Sequence, residues 1–279
     1  MNLTCANRTL NLSRPHVMGI LNVTPDSFSD GGVLHSGSAL NLDVALSRAE
    51  QMVEQGTTII DVGGESTRPG AVPVSVDEEL DRVVPVVEAI ASRIDVVISV
   101  DTSQPKVIEA SAAVGAGLIN DVRALRLDGA LEAAARVKLP VCLMHMQGDP
   151  ATMQHNPEYG NCVEEVYDFL RERISACKQA GLDEKQILVD PGIGFGKRDE
   201  HNLALVKSIN QFEELGAGIL FGVSRKSMIG RLLDRELPER LAGSLAFAMA
   251  ALSGGAKILR VHDVAQTVDI VKVYELLQQ

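Results

Sequence analysis

Thr57-Thr-Ile-Ile-Asp-Val-Gly63 is an apolar, β-branched run closed by glycine. After it, Val76, Leu80, Val83, Val84, Val87 and Ile90 recur at three-and-four spacing, and Val96-Val-Ile-Ser-Val-Asp101 forms a second β-branched run. The two runs have the length and composition of strands buried on both faces, and the segment between them carries the apolar stripe of an amphipathic helix. Strand, helix and strand in so short a span is the unit of a parallel sheet. The alternation extends outward in both directions. Val17–Thr24, Leu118–Asp121, Val141–Met146, Ile187–Asp190, Ile219–Ser224 and Lys257–His262 bring the candidate strands to eight, and Val163, Val166, Leu170, Ile174 and Cys177 mark another helical stripe. Eight strand–helix units in 279 residues suit a (β/α)8 TIM barrel, an α/β fold of about 250 residues. An open doubly wound sheet competes, but no G-x-G-x-x-G follows the first strand to mark one. No linker or block of like charge divides the chain, so residues 17–279 read as one barrel domain. Residues 1–16 read as an N-terminal extension with a hairpin as its candidate structure.

Composition agrees with that class. There is no Trp and aromatic residues are 3% of the chain, so Val, Ile, Leu, Ala and Met must fill the core. A domain of this size buries about 75% of its unfolded surface and needs no disulfides. Cys5, Cys142, Cys162 and Cys177 form no C-x-x-C pair and read as reduced thiols of a cytoplasmic protein. A net charge of −11 is the wrong sign for holding nucleic acid. The apolar stretch Leu245–Leu252 is far short of the ~20 residues of a bilayer span, and the N-terminus is polar where a signal peptide would be apolar.

In a barrel, reactive groups gather where strands end, because those ends surround one mouth. Asn22, Asp101, Asn120, Met144 with His145, Asp190, Ser224 with Lys226, and Arg260 with His262 all fall at or just beyond candidate strand ends. The two-residue period of a strand puts Arg260 with His262, and Ser224 with Lys226, on common faces. Lys226, Arg260 and His262 in an acidic chain form a candidate anion site, with phosphate the natural ligand. Asp61, flanked by apolar residues, reads as a structural hydrogen-bonding group, and Asp101 taken alone could equally cap the next helix. Asp190-Pro-Gly-Ile-Gly-Phe-Gly-Lys197 is glycine-rich, but its spacing and the following Arg198 rule out a Walker A loop. Its glycines suit a tight loop or close approach to a flat ligand. There is no H-E-x-x-H and no Cys/His cluster, which leaves Mg²⁺ shared with substrate phosphates as the candidate ion.

Read together, these segments resemble the dihydropteroate synthase family. Met18-Gly-Ile-Leu-Asn-Val-Thr-Pro-Asp-Ser-Phe-Ser-Asp-Gly-Gly32 looks like that family's first strand and loop. Asp61–Gly70, Ser99–Thr102, Ile119–Asp121, Met144–Met146, Asp190–Gly192, Ser224–Ser227 and Arg260–Asp263 follow in family order. The resemblance implies an enzyme, commonly a homodimer, that joins 4-aminobenzoate to (7,8-dihydropterin-6-yl)methyl diphosphate and is open to sulfonamide competition. It implies that Asp190 accepts the pterin's amino group and ring N–H, with Asn120, Asp101 and Lys226 at the remaining ring atoms and Met144 and Phe195 against the ring faces. Asn22, Thr67, Arg260 and His262 would hold the diphosphate, with Asn22 also helping to hold Mg²⁺. Phe28, Arg68, Pro69, Ser224 and Lys226 would shape the 4-aminobenzoate pocket. Lys226, Arg260, His262 and Asp101 are the candidate catalytic set, and Val23–Gly32 and Glu65–Val72 the candidate lids. A methyltetrahydrofolate-binding barrel of the corrinoid methyltransferase type would share the pterin-holding carboxylates and Asn but has no diphosphate to hold. Lys226 with Arg260 and His262, and the full Asn22–Gly32 loop, favour the synthase.

Overall fold

A computed structural model describes residues 1–24, 35–36, 39–40, 42–66, 74–150 and 152–278, and the structural statements below concern these residues. The chain opens with β1 (Asn2–Cys5) and β2 (Arg8–Asn11), which pair antiparallel as a hairpin. Next come β3 (His16–Asn22), a two-residue pair β4 (His35–Ser36) and β5 (Ala39–Leu40), α1 (Leu42–Glu54), β6 (Ile59–Gly63) and α2 (Val76–Arg93). They are followed by β7 (Val97–Asp101), α3 (Pro105–Ala113), β8 (Leu118–Asp121), α4 (Ala130–Val137), β9 (Val141–Met144) and α5 (Cys162–Gln179). The last third holds β10 (Ile187–Asp190), α6 (Asp199–Lys207), β11 (Gly218–Phe221), α7 (Ser227–Leu233), α8 (Leu241–Ser253), β12 (Ile258–Val261) and α9 (Val264–Leu277). Strands β3 and β6 to β12 pair in chain order, all parallel, and β12 returns to β3 to close the barrel.

All eight expected strands are present, but four end earlier than the sequence reading put them. β3 stops at Asn22, β9 at Met144, β11 at Phe221 and β12 at Val261. After β11 the Lys226 N–H bonds back to the Val223 carbonyl and Arg225 takes a φ of +57°, so the chain turns instead of extending. The helix starts follow local chemistry. Ser75 and Asn161 accept N–H bonds at the starts of α2 and α5, each followed by acidic residues in the first turn. Asp101 caps nothing: Gln104 precedes α3, and Thr102 Oγ1 takes its N–H.

The barrel interior is layered by the two-residue strand period. Its floor takes one apolar residue from each strand: Met18, Ile59, Val97, Leu118, Cys142, Leu188, Leu220 and Ile258. These pack in one cluster with Leu3, Cys5, Leu10 and Leu12 of the N-terminal segment, which plugs that end. Two residues further along the same strands come Ile20, Asp61, Ser99, Asn120, Met144, Asp190, Gly222 and Arg260, and two further again Asn22, Gly63, Asp101, Val122, Met146, Gly192, Ser224 and His262. Polarity therefore rises from floor to mouth. The opposite strand faces are buried under the helices in two large aliphatic clusters, so these strands are apolar on both sides below the mouth.

Candidate active site

The mouth of the barrel opens into a cavity of about 780 Å³. Its lining takes Ile20, Asn120, Met144, Asp190, Gly222 and Arg260 from the middle layer, and Asn22, Asp101, Val122, Ser224 and His262 from the upper one. Phe195, Lys197, Lys226, Glu65 and Ser66 join from the loops. The residues singled out at strand ends thus meet in one space, except His145, which is buried behind the cavity wall against Lys197.

Arg260 is the hub. Its Nε donates to Asp61 Oδ2 at 2.6 Å and its Nη2 to Asp101 Oδ2 at 2.8 Å, while Asn120 Nδ2 donates to the same Asp61 oxygen at 3.2 Å. Burial alone would lower the arginine's pKa, but Asp61 and Asp101 outweigh it and hold the pKa above its ordinary value. Burial lifts Asp101 to about 7, opposed by Arg260 and reinforced by Asp61, Asp121 and Glu79. Within the candidate anion site, Arg260 is therefore already paired with two carboxylates. Asp61 has the structural role expected of it, since it is wholly buried and fixes both Arg260 and Asn120.

Asp190 and Lys226 form the other wall. Asp190 Oδ1 accepts the Gly192 N–H at 2.7 Å, and burial raises its pKa against the pull of Lys226. Lys226 donates to the Ile193 carbonyl and sits 4.5 Å from the centroid of the Phe195 ring, a cation–π distance. Burial brings Lys226 down to about 8, with Asp190 resisting. Phe195 packs with Val122, Met144, Met146 and Met153, a soft apolar patch beside these polar groups. The geometry is a slot with apolar faces and a polar end. Ser224 and His262 lie past their strands, and the Ser224 hydroxyl sits 3.1 Å from both the His262 backbone N and its Nδ1.

Phe28, Thr67, Arg68 and Pro69, and most of both candidate lids, lie outside the described residues. Several groups escaped the sequence reading. Lys197 is fully buried against the glycine-rich loop. Arg123 bridges Glu65 and the Ser103 hydroxyl, beside Asp121, which takes bonds from Ser103 and the Arg123 and Leu125 N–H groups. Glu79 is buried beside this network, and burial raises its pKa to about 7. The Ile119-Asn-Asp121 motif flagged Asp121 by position, whereas nothing local separates Lys197, Arg123 or Glu79 from solvated charges.

A parallel barrel with a flat slot between Asp190 and the Arg260 hub defines an enzyme of the pterin-binding class, and the family described as "Pterin binding enzyme" matches residues 18–262. Dihydropteroate synthase of Escherichia coli K12 is 56% identical over 275 residues, covering 99% of this chain and 96% of that protein. The Yersinia pestis dihydropteroate synthase solved with a sulfonamide drug superposes with a TM-score of 0.95 at 52% identity, covering 100% and 99% of the two chains. The Xanthomonas albilineans enzyme in complex with 7,8-dihydropteroate gives 0.89 at 45% identity, again covering 100% and 99%. The chain belongs to the dihydropteroate synthase family, transferases of folate biosynthesis.

Proposed function

We propose that the chain condenses (7,8-dihydropterin-6-yl)methyl diphosphate with 4-aminobenzoate, giving 7,8-dihydropteroate and diphosphate. The observation that carries this reading is the slot: Asn120 and Asp190 project from one barrel layer on either side of Met144, with Phe195 packed in the same apolar patch as Met144 and Lys226 against the Phe195 ring. A pterin offers an amino group and a ring N–H side by side, which one carboxylate accepts together. The Gly192 N–H fixes the plane of Asp190 for this. Asn120 Oδ1, Asp101 and Lys226 serve the remaining ring atoms.

The methylene then points toward the mouth, where Asn22, Arg260 and His262 receive the diphosphate. Asn22, at the cavity wall, carries a hard amide oxygen that would hold Mg²⁺ together with the substrate's own phosphate oxygens. When bound, the ion offsets charge on the leaving diphosphate. The C–O bond breaks first, because the electron-rich pterin delocalises the methylene cation, and Arg260 and His262 favour the departing anion. The 4-aminobenzoate nitrogen supplies the electron pair of the new C–N bond, with Ser224 and Lys226 lining the described part of its pocket. The resulting anilinium is acidic enough to lose its proton without an enzymic base, so no nucleophile–base pair is required.

The reading extends to a homodimer in the cytoplasm. Exposed Leu232 and Leu233 on α7, and Val273, Leu276 and Leu277 on α9, support a second copy against helices that both flank α8. Four buried, unpaired thiols support a reducing compartment. Purified protein given the pterin diphosphate and labelled 4-aminobenzoate should form dihydropteroate and diphosphate in equal amounts, dependent on Mg²⁺ and inhibited by a sulfonamide competing with 4-aminobenzoate. Retained binding of free pterin with neither product would instead favour a methyltetrahydrofolate-type binding barrel.

A further inference from the structure

Lys197 is among the largest fully buried side chains in the molecule, and no carboxylate pairs with it among the described residues. Its Nζ instead lies 2.9 Å from the Gly192 carbonyl, 3.0 Å from that of Phe195, 3.3 Å from that of His145 and 2.8 Å from His145 Nδ1. Burial pushes the His145 ring well below its ordinary pKa, with Lys197 and Arg126 adding to the effect. Its Nδ1 is thus an acceptor for the ammonium. Burying a charge without an ion pair is costly, so the cradle of acceptors must justify Lys197 being there.

The cradle is the glycine-rich loop folded onto the end of β9. Gly192, Gly194 and Gly196 all take positive φ, from +60° to +82°. A Cβ on Gly192 would overlap the His145 carbonyl, and one on Gly196 would sit 2.5 Å from that of Gln147. This close approach turns the loop carbonyls inward, where they need a donor, and Lys197 supplies it. The same loop carries two groups of the slot: Gly192, whose N–H fixes Asp190 Oδ1, and Phe195, whose ring lies under Lys226. Met144, in the apolar patch against which Phe195 packs, directly precedes His145. Gln154 Nε2 to the Gly194 carbonyl (2.5 Å) and Tyr159 Oη to that of Gly196 (2.7 Å) hold the loop from outside, but neither reaches Gly192 or Phe195.

We propose that Lys197 is a positioning residue for the pterin slot, stapling the loop 191–196 to the end of β9 so that Asp190 and Phe195 keep the spacing a flat ring requires. This rests on the reading that Asp190 and Phe195 hold the pterin, so the test separates the two. Calorimetric titration of 6-hydroxymethylpterin is run on the wild type, Lys197→Met, Lys197→Gln and Asp190→Asn, each first shown to be folded by circular dichroism. Lys197→Met should weaken pterin binding by about 10-fold or more, because a displacement near 1 Å is enough to spoil such geometry. Lys197→Gln, which keeps one N–H donor at similar length, should recover part of the loss. At saturating pterin diphosphate the KM for 4-aminobenzoate should stay at the wild-type value in both, a split that general loosening of the fold would not produce. A folded Lys197→Met with wild-type pterin affinity, while Asp190→Asn has lost it, overturns the staple. Unchanged affinity in Asp190→Asn overturns the slot reading itself and the inference with it. If Lys197→Met does not fold, Lys197→Gln decides. If neither folds, the lysine serves the fold rather than the slot, and the proposal is wrong.

Discussion

At the scale of single residues, the site turns on how charge is shared. Read from sequence alone, Arg260 belongs to the diphosphate and Asp101 to the pterin, as separable roles. The 2.6 Å and 2.8 Å bonds from Arg260 to Asp61 and Asp101 join them. Removing the guanidinium leaves a wholly buried Asp61 and a nearly buried Asp101 without their counter-charge. Breaking such a pair costs about 3–5 kcal/mol, because the orphaned carboxylates keep their desolvation penalty. Arg260→Ala should therefore lose stability on that scale in a denaturant titration, and should weaken binding of free pterin as well as of the diphosphate. A variant that binds free pterin normally and melts like the wild type would restore the separable roles. The same coupling explains why the sequence misleads here. Arg260 and Asp61 are 199 positions apart, and no local pattern reports that they touch.

At the scale of elements, the eight inner-facing triplets carry the argument. Each strand runs from an apolar floor residue to a middle-layer and then an upper-layer residue two apart, as in Cys142, Met144 and Met146 or Ile258, Arg260 and His262. This period was legible in the sequence, because strands buried on both faces stand out as apolar runs whose polar exceptions sit at their ends. Ser224 and His262 line the cavity although both lie just past the last residue of their strands. Loop chemistry such as the Lys197 cradle was hidden, since it depends on how two connections meet in space. Gly222 tests the layering directly. It is the middle-layer residue of its strand between Asp190 and Arg260, and a Cβ there would meet Arg260 Cβ at 3.8 Å and Asp190 Oδ2 at 3.9 Å, ordinary contacts that need no rearrangement. Gly222 directly follows β11 and is not one of the positive-φ glycines, so Gly222→Val fits the backbone and should change stability by no more than about 1 kcal/mol. Its two methyl groups would project into the slot, so free-pterin binding should be abolished while the thermal melt is retained. Normal pterin affinity in that variant would mean that the ring lies elsewhere in the mouth.

At the scale of the whole molecule, the barrel separates what holds it together from what it does. The cavity end is polar, and the other end is closed by the hairpin β1–β2 and Leu12, whose Leu3, Cys5, Leu10 and Leu12 meet one residue from every barrel strand. The barrel makes room for this plug with glycine: a Cβ on Gly117 would sit 3.1 Å from Cys5, and one on Gly218 2.7 Å from the Leu12 side chain. We infer that the N-terminal segment is part of the barrel's core rather than an appendage, and that its contribution is to stability alone. Leu3 has no solvent exposure, so Leu3→Ala removes side-chain contacts and leaves a cavity in the floor, costing about 2–5 kcal/mol. For a chain of this size that lowers the melting temperature by roughly 5–15 °C. The middle layer lies between this floor and the cavity, so KM for both substrates and kcat, measured well below the new melting point, should match the wild type. Leu127→Ala, at an exposed leucine ahead of α4 and outside the proposed dimer surface, provides a control that should leave the floor untouched. If the floor variant instead raised KM in proportion to its lost stability, force would be passing from floor to mouth through the strands. The two ends would then have to be treated as one coupled unit.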